Sequence, residues 1–409
     1  MIRGLVRLLS AGYLGYRAKR WARVRLLRAL GRMLPVQRGR LVLVYHNRSG
    51  SNTLALMEHR PGDLDPDWEI RLVRLGRGES LGEQLRKLAV CARAQVIVTT
   101  HRLVAADLED FGKPGQISVE LWHGFPFKAI TLMEPAMDPR TKRKVAAGWA
   151  RAGRIASYSP LGCLVLNACF GTDINQYVVT GAPRNDWLFS ADGRPLLERA
   201  LERPLGGDRA VCFMPTFRSR GLGQVDGARR EGNFLGFPDF DPAEFRAFLE
   251  REALQFILKI HPVEEAELGA WVRSQAGGRV HLLTDAMLER QALDLYQLLP
   301  GVDALVTDYS GVAFDYLLLD RPMVFTPVDL EAYRDNRNLA LQPYDFWAPG
   351  PKAVTQAEFQ RELARAVREP GYYRAERALV RRLLHTFPDG ESCRRVWDLL
   401  GRLMRGAPA

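Results

Sequence analysis

The stretch that decides the fold runs from residue 304 to residue 326 and reads ALVTDYSGVAFDYLLLDRPMVFT. Its first four residues, ALVT, are typical of a short buried strand. A polar turn follows, and the pattern after Ser310 predicts a helix that begins there. A second strand is predicted at 323–326. Strand, helix and strand in this order are typical of a parallel sheet that is covered by helices.

The same alternation of strands and helices continues along the rest of the chain. A break near 195–209 divides the strands into two sets, which indicates the α/β fold class with two Rossmann-like domains. We expect an N-terminal domain at 41–200, a C-terminal domain at 201–375 and terminal helices at 376–409. The predicted strands are 41–46, 70–75, 95–100, 117–122 and 177–180 in the first set, and 210–214, 255–260, 280–283, 304–307 and 323–326 in the second.

The positive charge of the protein is located at one end of the chain. Lys and Arg number 58 against 47 Asp and Glu, so the formal net charge is +11. Residues 1–40 hold eleven of these bases and no acid, which leaves residues 41–409 with 47 of each sign. A charge of +11 alone is typical of nucleic-acid-binding proteins. A neutral body with a basic leader argues against a nucleic-acid partner.

The leader has the pattern of a basic amphipathic helix. Between Trp21 and Leu34, leucines and Met33 fall on one arc and three arginines on the opposite arc. This pattern predicts a helix that lies on an anionic membrane surface, with residues 1–40 as the contact. A helix packed on the body with a solvated basic face is the alternative. Nucleic-acid contact or an import peptide are the remaining interpretations.

Composition excludes several further classes of protein and site. At 47% hydrophobic and 26% charged residues, the chain is globular rather than disordered. Its five cysteines include no C-x-x-C pair, which argues against a disulfide framework and a structural zinc site. No run of 18 apolar residues occurs, and neither the P-loop nor the dinucleotide-binding fingerprint is present. We therefore expect no metal and no cofactor.

Reactive side chains follow the ends of predicted strands, where ligands bind in open α/β sheets. His123 directly follows a strand and could take a proton from a hydroxyl, or be a histidine satisfied by a backbone hydrogen bond. Arg218, Lys259 and His261 follow later strands and suit phosphate oxygens, with surface or turn positions as the alternative. Ser310 begins a helix, where it is an N-cap, a phosphate contact or both.

Six motifs occur in an order that resembles a known family. They are Trp122-His123-Gly124, Gly181 to Asp186 (GAPRND), Pro215 to Arg218, Lys259 to Pro262, Thr307 to Asp315 and Asp329 to Asp335. Taken alone, the GAPRND turn is as readily a linking turn in which Asp186 caps a helix. Taken together, the six resemble the CDP-glycerol glycerophosphotransferases, which include polymerases and primases of teichoic acid synthesis. The resemblance covers about residues 41–400.

This resemblance implies a GT-B architecture, in which two Rossmann-like domains face a cleft and the C-terminal helix crosses back. It implies transfer of a polyol phosphate from CDP-glycerol or another CDP-polyol to a hydroxyl of a lipid-linked acceptor, with release of CMP. The C-terminal domain would hold the donor and the N-terminal domain the acceptor. The family is peripheral to the cytoplasmic face of the cell membrane, and we expect the same location here.

The resemblance also assigns site residues by position. The catalytic residues it implies are His123, which matches the proposed general base, and His261. The donor-binding residues are Arg218, Lys259, Thr307, Asp308, Ser310, Gly311 and Asp315. The acceptor-side residues are Asn52, Lys128, Arg184, Asn185 and Asp186.

The chain departs from the family pattern at two places. The family sequence Thr-Pro-Leu-Lys is Phe125-Pro126-Phe127-Lys128 here, from which we expect a bulkier acceptor side. The second serine of a family Ser-Ser pair is Gly311, which removes one hydroxyl. These departures leave the choice between glycerol and ribitol open. A GT-B glycosyltransferase that uses a nucleotide sugar in surface polysaccharide assembly is the alternative function, and a basic-tailed binding protein is the third.

Overall fold

The structure is a computed structural model that describes residues 27, 29–76, 79–100, 113–190, 192–217, 233–261, 264, 265, 269, 272 and 278–406. These residues form two parallel sheets, each covered by helices. The α/β class that the alternation of strands and helices predicts is confirmed.

The N-terminal sheet has six parallel strands in the order β2-β1-β3-β4-β5-β6. Its central strands are short, apolar and buried, as in β3, where all four residues are inaccessible. Sequence analysis missed β5, because its four residues, RIAS, are few and begin with a charge. The strands are β1 Arg40–Tyr45, β2 Glu69–Arg74, β3 Val96–Thr99, β4 Ile117–Glu120, β5 Arg154–Ser157 and β6 Tyr177–Val179.

The C-terminal sheet has five parallel strands in the order β11-β10-β7-β8-β9. One of its faces packs on a phenylalanine-rich core that includes Phe213, Phe245, Phe256 and Phe359. All five strands were predicted. They are β7 Arg209–Phe213, β8 Leu254–Leu258, β9 Val280–Leu282, β10 Ala304–Thr307 and β11 Met323–Phe325.

Helices begin where the sequence supplies an N-cap. Asp138, Ser159 and Asp241 each accept backbone N–H groups, and a proline follows each as the first helical residue. The helices are Asn52–Glu58, Leu81–Ala92, Pro139–Trp149, Pro160–Phe170, Gly193–Leu201, Pro242–Arg251, Asp285–Arg290, Leu295–Leu298, Val312–Tyr316, Leu330–Asn336, Tyr344–Trp347, Gln356–Arg368, Arg374–Leu384 and Ser392–Met404. None of the helices in the described part of the chain is long and apolar enough to cross a membrane.

The last helix crosses back to the N-terminal domain. Trp397 donates its indole N–H to the carbonyl of Leu56 at 2.9 Å, and Gln95 donates to the carbonyl of Met404 at 2.7 Å. The helix is buried along one side, including Val396 and Leu400. The chain therefore returns to its first domain, as the resemblance implies.

The described end of the basic leader packs on the N-terminal domain. Leu27 is 5% exposed and contacts the core beneath β1, while Met33 on the same predicted apolar arc is 80% exposed. Lys113 donates to the carbonyls of Gly31 and Leu34 and so closes the C-terminal end of this segment. Leu27 itself is therefore packed on the body. The predicted membrane contact of residues 1–26 and 28 lies outside the described residues.

Candidate active site

A cavity of about 380 Å³ lies where the carboxyl ends of both sheets converge. The N-terminal domain contributes residues after β1, β4 and β6. The C-terminal domain contributes residues after β7, β8, β9 and β10. Of the predicted site residues within the described ranges, those that line the cavity are His123, Lys128, Arg184, Lys259, His261, Ser310 and Gly311.

His123 sits at the centre of a sharp turn after β4. Trp122, just before it, has φ 54°, and Gly124, just after it, has φ 140°. Backbone with positive φ is costly for a non-glycine residue and needs support from its surroundings. The Nδ1 atom of His123 lies 3.2 Å from the carbonyl of Thr100. A carbonyl only accepts, so Nδ1 carries the proton in the neutral ring and Nε2 holds the lone pair that a general base needs.

Buried polar groups hold this turn. Asn52 donates its amide to the carbonyls of Leu121 and Trp122, at 3.3 and 2.7 Å, and accepts the backbone N–H of Arg184 at 3.0 Å. The buried carboxylate of Glu120 accepts the N–H of Trp122 at 2.8 Å. Asn52 was predicted on the acceptor side. The structure places it behind the cavity wall, where its amide bonds the backbone.

Arg184 and Asp315 were predicted on opposite sides of the reaction, and the structure pairs them. Nη2 of Arg184 donates to Oδ2 of Asp315 at 2.6 Å, and their side chains are 7% and 0% exposed. The hydroxyl of Tyr296 and the amide of Asn185 also donate to Asp315, at 2.5 and 3.1 Å. Burial raises the pKa of Tyr296 well above its usual value, so this hydroxyl keeps its proton. Three protein groups thus donate to the Asp315 carboxylate.

Asp186 has a structural contact far along the chain. Its carboxylate accepts the backbone N–H groups of Ser392 and Cys393, at 2.9 and 2.7 Å. It therefore caps the C-terminal helix, in agreement with the capping interpretation of the GAPRND turn. Like Asn185, it was predicted on the acceptor side and does not line the cavity.

The donor side of the cavity carries the predicted lysine and histidine. Nζ of Lys259 lies 2.9 Å from Oδ1 of Asp285, a cavity-lining carboxylate that was not predicted. His261 stacks on Phe217, with ring centroids 4.0 Å apart. Desolvation and the charge of Lys259 lower the pKa of His261, with a smaller contribution from Lys128 across the cavity. The charge of Asp285 opposes this shift, and the lowered pKa favours the neutral ring of His261.

The motif after β10 contains two residues that support the neighbouring segments and two that line the cavity. Thr307 donates its hydroxyl to the carbonyl of Met214 at 2.7 Å, and Asp308 accepts the N–H of Thr216 at 2.8 Å. Both side chains are fully buried and do not line the cavity. Ser310 and Gly311 do line it. Arg218, the remaining predicted donor contact, lies outside the described residues.

The two phenylalanines from which a bulkier acceptor side is expected are almost wholly buried, although both belong to the cavity lining. The rings of Phe125 and Phe127 are 2% and 1% exposed. Phe125 packs edge-on against Phe314 of the C-terminal domain, and Phe127 stacks on Tyr344 of the same domain. Their rings therefore help to fill the contact between the domains.

Sequence reasoning missed three residues around the cavity, two of which act on the backbone or through it. Thr100 and Glu120 support the His123 turn, and Asp285 faces Lys259. The signal for Glu120 was a carboxylate at the end of an apolar strand, ISVELW. Thr100 offers only a carbonyl, which no side-chain pattern indicates. No group of three His, Cys, Asp or Glu that could hold a metal occurs in the ranges that the structure describes.

Two parallel sheets that share one cavity at their carboxyl ends define a GT-B-like fold. The chain belongs to the family described as CDP-Glycerol:Poly(glycerophosphate) glycerophosphotransferase, whose model matches residues 71–401. It is therefore a transferase of the teichoic acid polymerase and primase family, as its motifs predict.

Curated relatives fall in the same group. The teichoic acid glycerol-phosphate transferase of Staphylococcus aureus is 25% identical over 296 residues, which cover 70% of this chain and 71% of that protein. The teichoic acid poly(ribitol-phosphate) polymerase of Bacillus spizizenii is 33% identical over 191 residues, or 46% of this chain and 28% of the relative. This chain thus matches only about a quarter of the polymerase and most of the transferase.

Solved structures show the same fold. The wall teichoic acid polymerase TagF superposes with a TM-score of 0.72 at 19% identity, over 96% of each chain. A TagF variant soaked with CDPG gives a TM-score of 0.72 at 17% identity, also over 96% of each chain. A putative UDP-N-acetylglucosamine 2-epimerase from Listeria monocytogenes gives 0.53 at 14% identity, over 91% of this chain and 98% of the other.

Proposed function

We propose that this protein transfers glycerol phosphate, or a related polyol phosphate, from CDP-glycerol to a hydroxyl of a lipid-linked acceptor and releases CMP. One observation carries the proposal. A histidine with its proton fixed on Nδ1 by Thr100 lies in the same cavity as Lys259 and His261. A base on one wall and phosphate-binding groups on the other are what transfer of a phosphoryl group to a hydroxyl requires.

In the proposed reaction, Nε2 of His123 takes the proton of the acceptor hydroxyl. The acceptor oxygen attacks the distal phosphorus of the donor, a new O–P bond forms, and the bond to the CMP oxygen breaks. Lys259 offsets the negative charge that moves onto CMP. The neutral ring of His261 donates a hydrogen bond to the same phosphate region, and so does the hydroxyl of Ser310.

Three groups have indirect or additional roles in this proposal. Lys128 supplies a second positive charge from the N-terminal wall of the cavity. Thr307 and Asp308 hold the segments after β7 and β10 in contact, so they shape the donor site without touching the donor. Arg218 remains a proposed diphosphate contact.

The acceptor is proposed to be lipid-linked, and the protein to work at the cytoplasmic face of the cell membrane as a peripheral protein. The basic leader of residues 1–40 supports this location. So does the helix Pro139–Trp149, whose Arg140, Arg143 and Lys144 are exposed. Trp149 at the end of that helix packs on Trp122, with ring centroids 5.6 Å apart, beside the turn that carries His123. A basic surface close to the acceptor wall suits an anionic membrane.

The test is a reaction with defined substrates. Purified protein is incubated with CDP-glycerol and a prenyl-diphosphate-linked disaccharide, and the products are measured by mass spectrometry together with released CMP. We expect the mass of the acceptor to rise by one or more glycerol phosphate units. CDP-ribitol and a panel of nucleotide sugars are run in parallel. Transfer of a sugar with no transfer from either CDP-polyol would replace this proposal with the glycosyltransferase alternative.

A further inference from the structure

The guanidinium group of Arg184 joins the two domains beneath the cavity. Its Nη1 donates to the carbonyls of His123 and Gly50, at 2.7 and 3.2 Å, in two loops of the N-terminal domain. Its Nη2 donates to Asp315 in the C-terminal domain. The guanidinium carbon also lies 4.3 Å from the ring centroid of Tyr296 in that domain. One side chain therefore bonds the backbone of the general base and the opposite wall of the site.

The surroundings of this side chain are fitted to an arginine. A planar guanidinium can donate in several fixed directions at once, which a lysine ammonium cannot do with the same geometry. Gly124 leaves room for it, because a Cβ atom at that position would lie 2.6 Å from Nη2 of Arg184. Both Nη atoms are directed at protein acceptors, so the geometry favours support of the loop over direct substrate binding.

We propose that Arg184 is a positioning residue that holds the turn carrying His123 in its reactive place, anchored in the C-terminal domain by the ion pair with Asp315. The inference rests on the proposed function of His123 as the base. Asp315 belongs to the helix Val312–Tyr316, which directly follows Ser310 and Gly311 in the donor wall. The pair thus connects the wall that faces the donor with the base that faces the acceptor.

The kinetic test separates positioning from binding. We expect Arg184→Gln to lower kcat by about 10²-fold, because a misplacement of about 1 Å has an effect of that size, while KM for CDP-glycerol changes less than about threefold. The kcat of Arg184→Lys should fall between those of Arg184→Gln and the wild type. The lysine keeps the positive charge and loses the planar set of guanidinium donors. A rise in KM with unchanged kcat would mean that Arg184 binds substrate directly, and would overturn the proposal.

The matched control is another buried ion pair. Arg377 is 1% exposed and pairs with Asp320, and it does not line the cavity. Arg377→Gln should lower the melting temperature and leave kcat unchanged. An equal loss of kcat in both variants would show that any buried pair has this effect, and the positioning role would be wrong.

A readout without turnover keeps this inference separate from the proposed function. Side-chain ¹H–¹⁵N spectra of the histidines are recorded, with His123 assigned from its absence in His123→Gln. We expect the His123 signals to shift in Arg184→Gln and to stay in place in Arg377→Gln. Unchanged signals in folded Arg184→Gln would overturn the inference. Shifted signals in a protein that does not turn over CDP-glycerol would support positioning while the proposed function fails.

Discussion

The backbone of Phe125 and that of Gly311 touch across the two domains. A Cβ atom on Gly311 would overlap the carbonyl oxygen of Phe125. Gly311 has φ −63°, an ordinary helical value, so its backbone conformation does not demand a glycine. The close approach to the carbonyl oxygen of Phe125 is what requires a glycine at this position. The two positions at which this chain departs from the family pattern are thus in contact with each other, one in each wall of the cavity.

A side chain at Gly311 should therefore disturb both domains. We expect Gly311→Ser to destabilise the protein by about 1–3 kcal/mol through overpacking, although it restores the hydroxyl of the family pattern. Urea unfolding and the rate of CMP release check the two effects. Gly148 lies inside a helix with no atom near its missing Cβ, so Gly148→Ala is the control and should gain up to about 1 kcal/mol. A serine at 311 that is as stable as wild type would contradict the close contact.

Loss of the base should lower the rate and spare the fold. We expect His123→Gln to lower kcat by about 10²–10⁴-fold, because proton transfer from the acceptor hydroxyl then has no base. Donor binding, measured by calorimetry with CDP-glycerol, should persist since the phosphate-binding groups remain. His59 is exposed and contacts Ala55 of its own helix, so His59→Gln serves as the control and should keep full activity. Wild-type turnover in His123→Gln would remove His123 from the mechanism.

Asp294 should make the protein less stable as the pH rises. Its buried carboxylate accepts the N–H groups of Gly50 and Ser51 across the domain contact, and burial raises its pKa to about 6. The folded protein thus holds a proton that the unfolded chain releases, and the stability this gives is lost as the pH rises through about 6. Asp294→Asn should remove this loss, which urea unfolding at pH 4.5 and pH 7 measures.

His281 gives the stability of the protein the opposite dependence on pH, over a range that overlaps that of Asp294. Burial and the nearby charge of Arg203 lower its pKa to about 4. The unfolded chain takes up a proton first, so stability falls as the pH drops from about 6.5 towards 4. His281→Gln should reduce this acid sensitivity, whereas Asp294→Asn should increase it. Changes in slope of the same sign in both variants, relative to the wild type, would contradict the pKa shift assigned to one of the two groups.

Membrane attachment should depend on the leader more than on the rest of the chain. Deleting residues 1–26 keeps Leu27 in the core and removes seven Lys and Arg side chains, each of which contributes about 1 kcal/mol near an anionic surface. We expect flotation with anionic liposomes to fall sharply, while turnover of a water-soluble acceptor analogue stays at the wild-type level.

The exposed helix Pro139–Trp149 gives the comparison for that experiment. Replacing Arg140, Arg143 and Lys144 by Gln should weaken flotation less than the deletion does, because three charges are removed instead of seven. Liposomes of neutral lipid are the control for both proteins. Equal binding of the wild type to neutral and anionic liposomes would contradict an electrostatic attachment.

Local patterns predicted the elements of this fold well, and the long-range contacts poorly. The apolar runs of the second sheet, such as 255–260, are long enough to be recognised without any tertiary information. Strand β5 was missed, because a four-residue strand derives most of its stability from its neighbours in the sheet. The helix cap at Asp186 shows the same limit, since the N–H groups it accepts belong to Ser392 and Cys393.

Motifs indicated which residues matter more reliably than they indicated what those residues touch. His123, Lys259 and His261 line the cavity, as expected of residues at the ends of strands. Arg184 and Asp315 were assigned to opposite substrates, because a motif records only that a side chain is present. Their ion pair depends on how the two domains meet, and no local pattern contains that information.

The segment that carries the base has a consequence for protein engineering. Lys128 pairs in antiparallel fashion with Leu339 of the C-terminal domain, and the N–H of Ala129 donates to the carbonyl of Asn338 at 3.0 Å. Segment 122–129 therefore belongs to the first domain at its start, where Asn52, Thr100 and Glu120 hold the His123 turn, and pairs with the second domain at its end. A chimera that exchanges one whole domain with a relative replaces the partners of Lys128 and Ala129. Grafts between relatives should therefore transfer residues 338–339 together with the N-terminal domain.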